Sequence, residues 1–372
     1  GAPSFSPPAV ATVGIPFVVG NALLSSAEHA ATAGTPVLCR SFAEAEDKLG
    51  WSDAWDDYPI YEVMYSQFKL FGCSPVIFVP LTGGETADVA AAFEAAEQCL
   101  TMFGVVPDLL LAPGFSSNST VAAAMAAKAE GINGMFKAVA LVDVSGATST
   151  AAITAKNSGT YTATEIACWP CAKAGSLIFH MSTLVAGRIS ATDAANSGIP
   201  YESPSNKALP IDCICKDDGT AINITLAQAN SLNAAGIVSA LNFMGGFVLW
   251  GNCTAAYPGS TAVQDYFIPV HRMFDWVGAS LIRSFWAKLD RPMNRRLIDS
   301  ILDSANIWLN GLVSPGYLLG ARVEMREEDN PLTNLMAGHV KLHIYMTPPS
   351  PAQEIDFVLE YDAAYVSSAL GG

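Results

Sequence analysis

From residue 13 to about residue 260, short uninterrupted apolar runs alternate with stretches whose apolar residues recur every three or four positions. The runs VGIPFVV (13–19), PVIFVPL (75–81), DLLLAPG (108–114) and KAVALVDV (137–144) are too short for helices. They are apolar at nearly every position, as strands covered on both faces must be. Between them, YEVMYSQFKLFG (61–72) sets Tyr61, Met64, Tyr65 and Phe68 on one helical face. ADVAAAFEAAEQCLTMFG (87–104) predicts a second helix ending at Gly104, and STVAAAMAAKAEGIN (119–133) a third. Buried strands alternating with helices predict parallel β-α units, so this part is α/β. A turn-rich stretch (145–225) follows, and the segment ending WGNCTAAYPG closes the α/β part near residue 260.

The periodicity then changes. DYFIPVHRMFDWVGASLIRSFWAKL (265–289) predicts a long helix stopped around Pro292. MNRRLIDSILDSANIWLNGL (293–312) predicts another, with Leu297, Ile298, Ile301, Ala305 and Leu309 on its apolar side. GYLLGARVEM (316–325) and GHVKLHIYM (338–346) have the form of strands. In EIDFVLEY (354–361), Ile355, Phe357, Leu359 and Tyr361 share one face and acids occupy most of the other, which predicts a final strand. Pro348, Pro349 and Pro351 precede it and make a stiff elbow, not a tight hairpin. The expected organisation is an N-terminal arm (1–12), an α/β domain (13–262), an α+β C-terminal domain (263–350) and a C-terminal arm (351–372).

Composition adds a constraint. Hydrophobic residues make up 51% of the chain and charged residues 14%, against about 25% charged in ordinary soluble domains. No apolar run reaches the roughly 18 residues of a membrane span, so the low charge points to surface buried against other subunits. The net charge of −15 argues against nucleic acid as the main partner. Residues 1–265 carry 22 acids and 10 bases, and residues 266–372 carry 12 acids and 9 bases. The later bases cluster at Arg283, Lys288, Arg291, Arg295 and Arg296. They form either a solvated helix face, with Arg295 and Asp299 paired at i, i+4, or a docking patch for an acidic partner. GAPSFSPPAV has neither a basic start nor an apolar core, so no secretory leader is expected. Eight cysteines fall well short of disulfide-scaffold density, despite three N-x-T sites at Asn118, Asn223 and Asn252.

The most suggestive chemical motif is EIACWPCAKAG (165–175), where Cys168 and Cys171 have the spacing of a redox dithiol or of half a zinc site. A dithiol centre needs a helix N-terminus after a core strand, whereas AKAG follows. Zinc needs a second ligand pair, and Cys213 and Cys215 have the wrong spacing. His339 and His343 lie about 13 Å apart on an extended strand, too far for one ion. Asp53, Asp56 and Asp57 lack calcium-loop spacing and are expected to cap the helix at Tyr61. GGETAD (83–88) has neither the Walker lysine nor G-x-G-x-x-G. APGFSSNS (112–119) has no G-x-S-x-G. No catalytic, cofactor or metal residue is assigned. A thiol-disulfide oxidoreductase using Cys168 and Cys171 stands as the alternative of another class.

Several stretches resemble one family, the contractile tail sheath proteins of bacteriophages and phage-like particles. They include FWAKLDRPMNRRLIDSILDSANIWLNGLVSPGYLLGARVE (285–324), DYFIPVHRMFDW (265–276), CWPCAKAGSLIFHMSTLVAG (168–187) and YMTPPSPAQEIDFVLEYDAAYV (345–366). SFAEAEDKLGWSDAWDDYPIYEVMYSQF (41–68), PDLLLAPGFS (107–116) and AAMAAKAEGINGMFKAVALVDV (123–144) fit the same pattern. The resemblance implies a non-enzymatic structural protein of the virion tail, assembled in the host bacterial cytoplasm. It implies stacked hexameric rings in a six-start helix around a tail tube, contracting to drive the tube through a cell envelope for genome ejection. Implied partners are further copies of itself, the tail tube protein, and baseplate and tail terminator proteins. It also implies terminal arms that exchange strands between subunits, with Ile355, Phe357, Leu359 and Tyr361 as the donated strand and Pro348, Pro349 and Pro351 as its elbow. Lys288, Arg291, Arg295 and Arg296 would face the tube. The sheath of a headless bacteriocin or injection particle is the alternative with the same architecture.

Overall fold

The structure, a computed structural model, describes residues 12–371. The expected N-terminal arm, apart from Thr12, lies outside the described residues. Six strands come first: β1 (Pro16–Asn21), β2 (Val37–Cys39), β3 (Val76–Leu81), β4 (Leu109–Leu111), β5 (Val139–Asp143) and β6 (Glu165–Cys168). β7 (Cys171–Ala174), β8 (Leu177–Phe179), β9 (Cys213–Cys215) and β10 (Ala221–Ile222) form a separate antiparallel sheet in the order β10-β9-β7-β8. β11 (Ile237–Asn242) and β12 (Phe247–Trp250) return to the first sheet, whose order is β12-β11-β6-β5-β4-β1-β3-β2. Its neighbours are parallel except for the antiparallel edge pairs β2–β3 and β11–β12.

Alternate residues of the central strands feed two cores. Val18, Val76, Phe78, Leu109, Leu111, Val139 and Leu141 face one side. Phe17, Val19, Ile77, Val79, Leu110, Ala140 and Val142 face the other. This is why these strands are apolar throughout. The first core is covered by α1 (Phe42–Leu49) and α2 (Ile60–Tyr65), and the second by α3 (Thr86–Ala92), α4 (Cys99–Phe103) and α5 (Ser119–Glu130). α6 (Ser149–Ser158) follows β5, while α7 (Met181–Ala195) packs in the first core and α8 (Leu226–Ala234) in a smaller one around Trp169.

Two helices depart from the expected regularity. The stretch 87–104 is not one α-helix, because Phe93–Gln98 winds as a 3₁₀ turn between α3 and α4. Three residues per turn align Phe93, Ala96 and Cys99, all buried in the second core, along one line. α2 continues into a wider π-helical turn, Ser66–Leu70. The acids Asp53, Asp56 and Asp57 do not cap it: Pro59 is the cap residue, without a side-chain bond, and the acids are exposed.

The C-terminal part holds α9 (Val263–Tyr266), α10 (Ile268–Phe285), α11 (Arg295–Val313), β13 (Gly320–Glu324), α12 (Leu332–Met336), β14 (His343–Thr347) and α13 (Ala364–Leu370). Met273, Trp276 and Val277 of α10 meet Ala305, Leu309 and Leu312 of α11 and Val323 of β13 in a third core. Asn294 caps α11 by accepting from the Leu297 amide at 3.0 Å. β13 and β14 form a two-stranded antiparallel sheet in which Val323 faces Ile344. The strand expected over 338–346 is therefore shortened. The Asn330 side chain holds the Lys341 amide at 2.7 Å and carbonyl at 2.8 Å, diverting the chain from the ladder, so His339 is not on the strand at all.

The strand expected over 354–361 is also not formed. These residues are exposed and unpaired with any strand of the chain. Its alternating pattern is present, but a strand exists only against a partner that completes its ladder.

Candidate functional site

The ends of the parallel strands are where chemistry would be sought in such a sheet. β1 is flanked by β3 and β4, so its C-terminal end is the point of topological reversal, the usual ligand crevice. Here it is filled. A methyl at Gly20 would lie 3.3 Å from the Ile60 nitrogen, and one at Gly114 3.7 Å from Pro59.

Beside it, Asp143, Cys168, Cys171, His180, Cys215 and Asp217 line a cavity of about 430 Å³. Cys168 ends β6, and Cys171, three residues on, starts β7 in the other sheet, so neither thiol sits at a helix N-terminus. Burial pushes both thiols well above their ordinary range, the reverse of an activated nucleophile. The thiol-disulfide reading has no support in this geometry. Asp217 accepts from the Cys171 thiol at 3.3 Å, whereas Asp143 and the nearby Glu62 are engaged with the start of α7. Asp143 accepts from the Ser182 amide at 3.0 Å and hydroxyl at 2.6 Å. Glu62 accepts from the His180 amide and pairs with its Nδ1 at 2.9 Å. Two carboxylates thus satisfy and neutralise the positive end of α7. Burial works against a charged His180, but Glu62 outweighs it and raises the imidazole pKa to about 10. Glu85 and Asp88 close a reciprocal cap on α3, so the GGETAD turn presents carboxylates where a phosphate would need donors.

One buried charge cluster was not found from the sequence. Arg272 of α10 donates to Asp193 of α7 at 2.6 and 3.0 Å and to Asp108 at 2.9 Å. Asp108 also accepts from the Gly14 and Ile15 amides at 2.9 and 2.7 Å. Burial opposes the guanidinium charge, yet the two carboxylates overcome it and raise its pKa. The start of β1, the approach to β4, α7 and α10 are tied at one point. The available signal was an arginine inside the apolar run IPVHRMFDW and an aspartate inside the buried helix ISATDAA.

The basic segment divides. Arg283 donates to the Gly104 carbonyl at 2.9 Å and Arg295 pairs with Asp299 at 2.9 Å. Lys288, Arg291 and Arg296 are exposed, form no ion pair among the described residues, and line a shallow cavity of about 680 Å³ with Asn294. Three of the four expected tube-facing charges are therefore gathered and free of acids, and Arg295 is compensated.

The proline elbow leads the chain off the body. Pro348 is buried and Pro349 and Pro351 half-buried, and Gln353 accepts from the Asn252 side chain at 3.1 Å. Beyond it contact ends. Ile355 is 70% exposed, Phe357 85%, Leu359 94% and Tyr361 85%. The two edges of the small sheet differ. Asn306 of α11 accepts from the Val323 amide at 2.8 Å and donates to its carbonyl at 3.1 Å, which caps the outer edge of β13. Since those groups point away from β14, Val323–Ile344 is a non-hydrogen-bonded pair, and the amide and carbonyl of Ile344 face outward too. Among the described residues no strand lies along that side of β14.

No family model matches the chain. It is 25% identical over 300 residues to the tail sheath protein of Burkholderia phage BcepMu, covering 77% of this chain and 62% of that protein's length. A putative prophage major tail sheath protein of Pseudomonas aeruginosa is 24% identical over 100% of this chain and 96% of its own. Among solved structures, the contracted PVC sheath complex of an extracellular contractile injection system matches with a TM-score of 0.75. The identity is 17%, over 98% of this chain and 96% of that one. The helical sheath of the anti-feeding prophage, also contracted, matches with a TM-score of 0.73 and 20% identity over 97% of each chain. The chain has the mixed α/β fold of these sheath structures, and its resemblance to contractile tail sheath proteins extends along its length. No helix among the described residues is long and apolar enough to cross a membrane.

Proposed function

We propose that this chain is the structural subunit of a contractile tail sheath, without catalytic activity. It polymerises as stacked hexameric rings in a six-start helix around a tail tube and contracts to drive the tube through a target envelope. Baseplate and tail terminator proteins bound the polymer, and assembly takes place in the host bacterial cytoplasm. The observation that carries this reading is a pair of complementary deficits in one chain: an apolar arm with no partner and a strand edge with no neighbour. Donation of residues 354–361 to β14 of another copy, by β-augmentation, answers both. Such a contact is heterologous, so repeated from copy to copy it closes into a ring or extends as an open helix according to its rotation. Burying Ile355, Phe357 and Leu359 contributes about 1.5–3 kcal/mol each as an upper figure. Contraction then draws on the free-energy difference between two packings of the same linked subunits.

Electron microscopy of the concentrated protein tests the proposal: striated tubes or cogwheel rings are expected, and a monodisperse monomer at high concentration refutes it. The headless-particle alternative shares this architecture, and matches to phage tail sheath proteins and to injection-system sheaths both span most of the chain. Particles purified from the source that carry this protein but no capsid would select it over a phage tail.

A further inference from the structure

We propose that Glu28, His29 and Asp47 form a binding site for one borderline divalent cation, best matched by zinc, on the exposed surface of the α/β part. One ligand atom from each side chain lies within 4.8 Å of the other two, and no other three His, Cys, Asp or Glu side chains among the described residues converge in this way. Nδ1 of His29 stands 2.6 Å from Oδ1 of Asp47. Around a tetrahedral zinc with bonds of about 2.1 Å, ligand atoms are separated by roughly 3.4 Å. The present arrangement therefore needs the closest pair to open and the widest to close by about an ångström.

The backbone under these side chains is already fixed. The His29 amide donates to the Asp47 carbonyl at 2.9 Å and the Ala31 amide to the Lys48 carbonyl at 2.8 Å, stitching the loop to the end of α1. Immediately before it, Ser26 presses on Gly50, where a methyl would come within 2.0 Å of the Ser26 hydroxyl oxygen. Only side-chain torsions remain to adjust, and His29, 65% exposed, has room to do so.

The donor set selects the ion. One imidazole with two carboxylates suits zinc and its neighbours, whereas magnesium and calcium favour all-oxygen shells. Asp47 also lies in the last turn of α1, where the helix dipole disfavours an anion. His29 at 2.6 Å and Lys48 at 3.4 Å from its two oxygens offset this, and a bound cation takes over the share of the imidazole. Three protein ligands leave one coordination position open to solvent or to another copy of the chain.

Isothermal titration of the full chain with zinc chloride is the test, with magnesium chloride as control. Because the partly exposed Cys73 and Cys213 also attract zinc, the site is measured as the difference between the wild type and His29→Ala. One saturable equivalent is expected to weaken at least about tenfold in His29→Ala and in Glu28→Gln, with unchanged far-UV circular dichroism and no comparable magnesium binding. Glu28 is exposed, so its amide variant keeps the comparison valid should His29→Ala alter the loop. Zinc isotherms identical in the wild type and both variants, or absence of zinc binding to the wild type, would overturn the proposal.

Discussion

The α/β part and the C-terminal arm contain equally apolar strands that end in opposite states. Phe17, Phe78 and Leu110 are fully buried, while Phe357 and Leu359 stand almost wholly in solvent. Several buried charges of the main body are matched within the chain: Arg272 by Asp108 and Asp193, Glu62 by His180, and Lys128 by Glu94 and Glu97. The arm has no such closure. The contrast teaches that a hydrophobic pattern specifies that a surface will be covered without specifying which chain covers it. A solitary apolar strand is an aggregation hazard unless something receives it, so its persistence in this chain is itself an argument for a receiver.

The sharpest way to break the comparison is to remove the arm. A chain ending at Ser350 should lose tubes and rings entirely while its unfolding midpoint stays near that of the full-length monomer, since the deleted residues touch little of the body. Tubes from the truncated chain, seen by microscopy, or its outright unfolding, seen by circular dichroism, would place the arm on the wrong side of the contrast. The next largest effect belongs to the body. Arg272→Met leaves Asp108 and Asp193 buried without a cation and should cost about 3–5 kcal/mol in urea unfolding. Replacing both aspartates by Asn in the same chain should recover part of that loss, because the uncompensated charge would be gone.

This difference also explains what was legible in the sequence. The parallel sheet was legible because both of its faces are covered by the chain's own helices, so every position of Val76–Val79 or Leu109–Leu111 carries the signal. The 3₁₀ turn at Phe93–Gln98 was not, since the three-residue spacing of Phe93, Ala96 and Cys99 fits an α-helix and a 3₁₀ turn alike. The loss of strand at 338–342 depends on one asparagine, Asn330, which no periodicity marks. The alternation of 354–361 was legible and its pairing was not, because no strand among the described residues pairs with it. The Arg272 cluster brings together residues 79 and 164 positions apart, a distance over which local patterns are silent.

A smaller effect sharpens the picture of a body held by internal pairs. His180 titrates near 10 when folded and near 6.5 when unfolded. A raised folded pKa means that its contribution is complete below about pH 6.5 and is lost as the pH climbs through about 10. Unfolding midpoints measured from pH 6 to pH 10 should therefore fall more steeply for the wild type than for His180→Asn, and the variant should be the less stable at pH 6. Parallel pH profiles would show that Glu62 and His180 are not coupled as described.

The smallest expected effect on the chain alone comes from its basic face, and there the contrast between body and docking surface is most exposed to refutation. Lys288, Arg291 and Arg296 share a shallow concavity without acids, on a protein whose net charge is −15. Reversing Arg291 and Arg296 to Glu breaks no ion pair found among the described residues, so monomer stability should change by no more than about 0.5 kcal/mol. A face of this kind that merely kept the helix solvated would leave every association unchanged. If it meets an acidic tube, binding of tube protein should weaken with the reversals while sheath self-assembly changes less. Binding by the wild type should also fall as salt rises, because exposed charges are screened beyond about 10 Å at 0.1 M. Arg295→Glu is the internal control: that side chain is already paired with Asp299, so its reversal should disturb tube binding less than reversal of either neighbour. Equal losses from Arg295 and Arg296 would mean that free charge is not what the partner reads. Tube binding that is insensitive to salt and to all three reversals would return the segment to a solvated face.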